Sequence, residues 1–288
     1  MTPLVLSYSA LATFSRCRRA YYYGYELNLE PRKTTAAIEE GSDFHRQMQE
    51  EADFLRGRDI SPPDETSMTM VAEEFLYHHP LPGGEDILSV EEPIYVKLLE
   101  GYIEEVSDGR REICHPDVWL RCTPDLVYKR GKWTIVRDYK TFEKKPVLDR
   151  ELDLQCATYQ AVYREKYGPD TMFEYVHVRR TPPGVSHNKK GDVWEPEECY
   201  IFQEMYAPDH QLKELWREQQ NLARDLVRAQ VEGRFYRQPA NCCGGICGGS
   251  LYKELCTADI KEGGLTEEDK LALATKKEPT TLPKELQW

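Results

Sequence analysis

The chain has 288 residues and a formal net charge of −12, from 50 acidic and 38 basic side chains. That length supports one or two units with a substantial buried core, and the absence of any run of about eighteen apolar residues argues against a transmembrane helix. The cysteines number nine, an odd count, and the opening MTPLVLSYSA has no basic region followed by a long apolar stretch. A secreted disulfide scaffold is therefore not expected, and the expected compartment is the cytoplasm.

In chain order, residues 7–25 and 36–57 read as helices and Glu65 to Tyr77 as a third. Ile87 to Leu98 and Asp117 to Tyr139 read as strands of a central sheet. A long helix from Arg150 to Tyr167 follows, then strands at Met172 to Val178 and Cys199 to Met205. Thr181 to Glu198, rich in Pro, Gly and Lys, has the composition of a mobile insertion near a substrate. Asp209 to Glu232 is an amphipathic helix with Leu212, Leu215, Trp216, Leu222, Leu226 and Val227 on its apolar face, and it leads into a cysteine-rich loop. After Cys256 comes a tail, 257–288, with one short helix opened by Thr266 and Asp269 and with prolines at 279 and 283. The pattern is α/β, and no internal repeat is present.

Chemistry concentrates in TPDLVYKRGKWTIVRDYKT, Thr123 to Thr141. Leu126-Val127-Tyr128 and Trp133-Thr134-Ile135-Val136 are strand-like runs joined by the polar, glycine-containing Lys129-Arg130-Gly131-Lys132, which predicts a hairpin. Side chains alternate along a strand, so Asp138 and Lys140 share a face while Tyr139 points away. Asp125 can reach the same place from the partner strand. The Tyr139 carbonyl adds a hard oxygen, so the set suits Mg²⁺ or Mn²⁺. Lys140 then orients an attacking water or steadies charge on a phosphate. An acid-x-Lys tripeptide occurs four times in the chain, but only Asp138-Tyr139-Lys140 ends a predicted strand and has a Pro-Asp, Pro124-Asp125, on the strand before it. The plain alternative is a solvated hairpin rim with an ordinary ion pair.

Three further segments, with the hairpin, resemble the RecB-like nuclease family of the PD-(D/E)xK superfamily. Gln155-Cys156-Ala157-Thr158-Tyr159 is similar to that family's Q-x-x-x-Y helix. Gly41-Ser42-Asp43-Phe44-His45 looks like its G-x-x-x-H, and Leu6 to Leu11 through Cys17-Arg18-Arg19-Ala20-Tyr21-Tyr22-Tyr23 resembles its first helix. The resemblance implies a restriction-endonuclease-like core with a central mixed sheet flanked by helices. It also implies catalytic residues at Asp125, Asp138 and Lys140, His45 as a further metal ligand, and Gln155 and Tyr159 supporting the site. Thr123-Pro124 departs from the pattern, because many relatives carry a glycine shortly before the aspartate.

A second constellation is Cys242, Cys243, Cys247 and Cys256, spaced C-x3-C-x8-C from Cys243 or C-x4-C-x8-C from Cys242. Three of these thiolates with Cys17 make four ligands, suited to a [4Fe–4S] cluster or a structural zinc, the plain alternative being a reduced structural knot with no metal. In the iron–sulfur subset of RecB-like nucleases, related to the AddB subunit and the CRISPR adaptation nucleases, one early and three late cysteines hold a cluster that clasps the two ends of the domain. The resemblance therefore implies a nuclease domain over 1–256 closed by such a clasp. Cys114, Cys122, Cys156 and Cys199 stand singly and read as core residues.

The expectation is a metal-dependent deoxyribonuclease, an exonuclease on single strands or strand ends, working in recombination, replication or repair, in a host's cytoplasm if the chain is viral. Local basic groups to meet phosphate are Arg18, Arg19, Lys144, Arg179 and Arg180. An acidic body weakens non-specific sliding, so a free end or a recombination or replication partner would load the strand. The chain has no G-x-x-x-x-G-K-[ST], hence no P-loop motor in cis. The other readings are a DNA-end-binding accessory subunit and an iron–sulfur electron carrier; neither needs a carboxylate–lysine face.

Overall fold

The computed structural model describes residues 2–31, 36–58, 65–105, 112–146, 154–186, 190–236, 252–261, 264–283 and 286. In chain order the first elements are β1 (Leu4–Ser7), α1 (Tyr8–Arg16), α2 (Arg18–Tyr21), a π-helical turn (Tyr22–Glu26), β2 (Leu29–Pro31), α3 (Ala36–Leu55) and α4 (Thr69–His78). Then come β3 (Ile87–Val90), β4 (Ile94–Leu99), β5 (Tyr102–Glu105), β6 (Glu112–His115), β7 (Val118–Cys122), β8 (Leu126–Arg130) and β9 (Trp133–Phe142). The last are α5 (Leu154–Tyr167), β10 (Thr171–Arg179), α6 (Pro196–Cys199), β11 (Tyr200–Met205), α7 (Asp209–Glu232), α8 (Lys253–Lys261), α9 (Glu267–Leu273) and β12 (Ala274–Lys276). None of the helices is long and apolar enough to cross a membrane, among the described residues.

Two compact units result: Met1–Thr34, Tyr95–Cys122 and Arg217–Trp288 form one, and Thr35–Ile94 and Thr123–Trp216 the other. The second unit is built on a mixed sheet of order β11-β10-β9-β8-β3, in which β9 and β10 run parallel and the other neighbours antiparallel. β10 is buried at every position, as an inner strand covered on both faces should be. On one face Phe44 and Met48 of α3 and Phe75 of α4 pack on Tyr139, Val176 and Val178. On the other, Tyr159 of α5 meets Phe173 edge-on at 5.9 Å. The sheet is thus flanked by helices, as expected. Pairing of Arg130 with Trp133 leaves Gly131-Lys132 as a two-residue turn, and Gly131 takes the positive φ of 62° that such a turn requires. α3 lies close to β9 at Gly41, where a Cβ would sit 3.4 Å from Thr141 Oγ1.

The first unit holds a sheet of order β1-β7-β4, with β1 parallel to β7, and two pairs, β5-β6 and β12-β2. Here a buried carboxylate, Asp259 of α8, accepts from Arg19 Nη2 at 2.5 Å, from the Tyr23 hydroxyl at 2.9 Å and from the Leu265 N–H at 3.2 Å. The tail is drawn in by the antiparallel β12-β2 pairing, and Thr266 and Asp269 form the reciprocal capping box at the start of α9.

Two expected elements divide. The helix expected over 7–25 is preceded by β1 and broken at Cys17, whose extended φ of −157° lets its Sγ accept from the Ala20 N–H and cap α2. The strand expected over Ile87–Leu98 splits at Glu91, which has a φ of 50°, into β3 and β4 of different sheets. The beginning of the helix expected from Arg150, and Cys242, Cys243 and Cys247, lie outside the described residues.

Candidate active site

The pairing of β8 with β9 opposes Leu126 to Arg137, so the residue before one and the residue after the other, Asp125 and Asp138, meet at the same end of the hairpin. β9 then alternates. Arg137 and Tyr139 face α3 and α4, where Arg137 Nε donates to Glu174 at 2.6 Å; Asp138 and Lys140 face α5. Lys140 Nζ stands 2.5 Å from Asp138 Oδ2, and Gln155 of α5 donates to Asp138 Oδ1 at 2.9 Å while its own carbonyl accepts from the Tyr175 hydroxyl. One turn on, the Tyr159 hydroxyl accepts from the Thr123 N–H at 3.4 Å and donates to the Thr123 carbonyl at 3.3 Å. The i and i+4 side chains of one helix face therefore hold one aspartate directly and the other through its lead-in peptide.

α3 brings His45, whose Nδ1 lies 3.0 Å from Asp125 Oδ1; the other carboxylate oxygen accepts from the Tyr139 N–H at 2.5 Å. The third contributor, Glu91, was not singled out by the sequence. It follows β3, donates its N–H to the Asp125 carbonyl at 3.2 Å, and is held in the left-handed region that only a few per cent of non-glycine residues adopt. One ligand atom each from His45, Glu91 and Asp125 lie within 4.8 Å of one another, a spacing that fits a metal ion. Locally, Glu91-Glu92-Pro93 marks only a break in an otherwise strand-like run and carries no sign of a ligand.

Electrostatics agree with that geometry. Burial, with Asp125 alongside, pushes the Glu91 carboxyl up to about 7. Burial also raises Asp138, to about 6, against the pull of Lys140. Desolvation opposes charge on His45 and on Asp125, but their mutual attraction prevails, raising the imidazole and lowering the carboxyl. Three acids crowd one lysine and one histidine, and a divalent cation relieves the repulsion that otherwise keeps a proton on Glu91. The residues present therefore fit a hard divalent metal with oxygen and imidazole donors.

Residues 5–257 match the PD-(D/E)XK nuclease superfamily. The chain belongs to that superfamily. Among solved structures it is similar to a candidate exonuclease from Eubacterium rectale, at 13% identity and a TM-score of 0.46 over 83% of this chain and 86% of that one. A second, SSO0001, is similar at 13% identity and a TM-score of 0.37 over 88% and 86%. No curated protein sequence matches.

As a PD-(D/E)XK nuclease the chain is a phosphodiesterase, and nucleases of this superfamily normally use a divalent metal. Of the basic residues set aside for phosphate, several in this nuclease already have protein partners. Arg19 is tied to Asp259; Arg180 pairs with Glu40 at 2.6 Å and Glu143 at 3.1 Å; Arg179 is buried against Trp194 and donates to the Glu143 and Glu198 carbonyls. Lys144 is exposed, and Arg18 lies over the rings of Phe14 and Tyr236. Of the described cysteines, Cys17 packs against Tyr252, and Cys256 packs in a neighbouring cluster that includes the same tyrosine.

Proposed function

We propose that this nuclease is a Mg²⁺- or Mn²⁺-dependent deoxyribonuclease of the RecB-like iron–sulfur subset that digests DNA from single strands or free ends. The observation that carries the reading is the convergence of His45, Glu91 and Asp125 beside the Asp138–Lys140 pair. His45, Glu91, Asp125, Asp138 and the Tyr139 carbonyl would hold the metal, which supplies a polarised phosphoryl oxygen and a water of lowered pKa. Lys140, on the same strand face as Asp138, places a positive charge where charge develops on the attacked phosphate. Gln155 fixes the Asp138 carboxylate, and Tyr159 fixes the peptide ahead of Asp125. Cys17 and Cys256, with Cys247 and either Cys243 or Cys242, would ligate a [4Fe–4S] cluster, or a zinc, as a structural clasp.

The test is digestion of 5′- and 3′-end-labelled single-stranded and duplex DNA, alongside circular single strands. The expected result is shortening of linear DNA with Mg²⁺ or Mn²⁺, none with chelator, and at least about a hundredfold loss in Asp138→Ala or Lys140→Ala with the fold retained. Equal cutting of circles would overturn the end requirement, and unchanged rates in both variants would overturn the site.

A further inference from the structure

We propose that Arg18 and Tyr236 form a base-stacking platform for single-stranded DNA in the first unit, a step that rests on the reading of this chain as a DNA nuclease. The two neighbouring arginines at the start of α2 serve different ends. Arg19 is committed to the buried Asp259. The Arg18 guanidinium instead lies 4.8 Å from the ring centroids of both Phe14 and Tyr236, and no carboxylate among the described residues is within ion-pair distance of it.

The ring beside it is held out from a fixed base. α7 stops at Gly233, whose φ of 63° turns the chain, and the Arg234 N–H closes back on the Ala229 carbonyl at 2.8 Å. Phe235 is then buried, its ring 5.2 Å from Tyr22 and 6.1 Å from Tyr21. The next side chain, Tyr236, is 53% exposed. Phe14 is itself buried, so the stack runs from core ring to guanidinium to exposed ring. Such a stack offers a π-face to any base and a delocalised cation to the adjoining phosphate, the chemistry by which single strands are held without sequence preference. A paired base keeps its faces against its neighbours, so the platform selects unpaired nucleotides.

Fluorescence anisotropy of the full chain in chelator, with a labelled oligothymidylate, reads binding whether or not the protein cleaves. Tyr236→Ala should weaken the single strand by about 5- to 100-fold, Tyr236→Phe should bind as the wild type does, and Arg18→Gln should weaken it comparably to Tyr236→Ala. On a strand of the same length made of abasic sites, Tyr236→Ala should make no difference. Undiminished affinity in Tyr236→Ala, an equal loss in Tyr236→Phe, or an equal loss on the abasic strand would each overturn the platform. Wild-type protein that binds in this way but never cleaves with metal would count against the nuclease reading alone.

Discussion

At the scale of single residues the decisive group is Glu91. Folding lifts its carboxyl to about 7 and that of Asp138 to about 6, both above the ordinary carboxylate range, and it lifts the His45 imidazole as well. A raised folded value means stability that is fully present at acid pH and lost as pH climbs through the folded value. Asp125, lowered, works in the opposite sense, its share being lost only on acidification below its ordinary range. In chelator, therefore, the melting temperature should fall between about pH 5 and about pH 8, and Mn²⁺ should restore it most at the alkaline end, where no proton has to leave for the ion to bind. Glu91→Gln should flatten the slope in chelator and weaken Mn²⁺ binding by about tenfold or more. Scanning calorimetry with and without Mn²⁺ checks both; an unchanged slope in the variant would remove Glu91 from the site. Glu91 was illegible in the sequence for a physical reason. It is one of 50 acids, and what distinguishes it is the ladder bond to Asp125, a partner more than thirty positions away that no local pattern encodes.

At the scale of elements, what was legible is what local periodicity controls. The amphipathic repeat gave α7 its observed bounds, and the β8-β9 hairpin followed from alternation plus a glycine that its turn requires. β1 was missed because its four residues, LVLS, become a strand only by lying parallel to β7, more than a hundred residues later. α5 connects this scale to the chemistry. Its Tyr159 hydroxyl closes a pair of bonds on the Thr123 peptide, where the chain enters the hairpin through Thr123-Pro124. Tyr159→Phe should cost about 1–2 kcal/mol of stability. It should also raise the metal concentration giving half-maximal cleavage several-fold, because Asp125 loses its brace, while Lys140 and its charge are untouched. Denaturant melts and metal titrations of the cleavage rate measure the two effects; a stability loss with an unshifted metal requirement would make Tyr159 a packing residue only.

At the scale of the whole molecule, the proposed clasp and the Asp259 tie are separable. Cys17 and Cys256 sit in adjoining clusters around Tyr252, and Arg19 and Tyr23 already bond Asp259 close by in the sequence on both sides. If a cluster is bound, Cys17→Ala and Cys256→Ala should abolish the brown colour and iron content and lower the melting temperature by several degrees, whereas Cys114→Ala should keep the colour. Anaerobically prepared wild type that is iron-free, colourless and fully active would remove the cluster, and one zinc per chain would replace it. Asp259→Asn should destabilise the unit while leaving the iron content intact.

The division of the chain also fixes an order of birth. The second unit ends at Trp216, so a ribosome has delivered all of it while the first unit still awaits everything from Arg217 onward. The nascent chain can therefore complete the carboxylate–lysine sheet early, whereas Arg19 is made 240 residues before Asp259 and stays without it over that stretch of synthesis. For that interval Arg19 and Tyr23 lack the carboxylate that both of them bond in the folded protein.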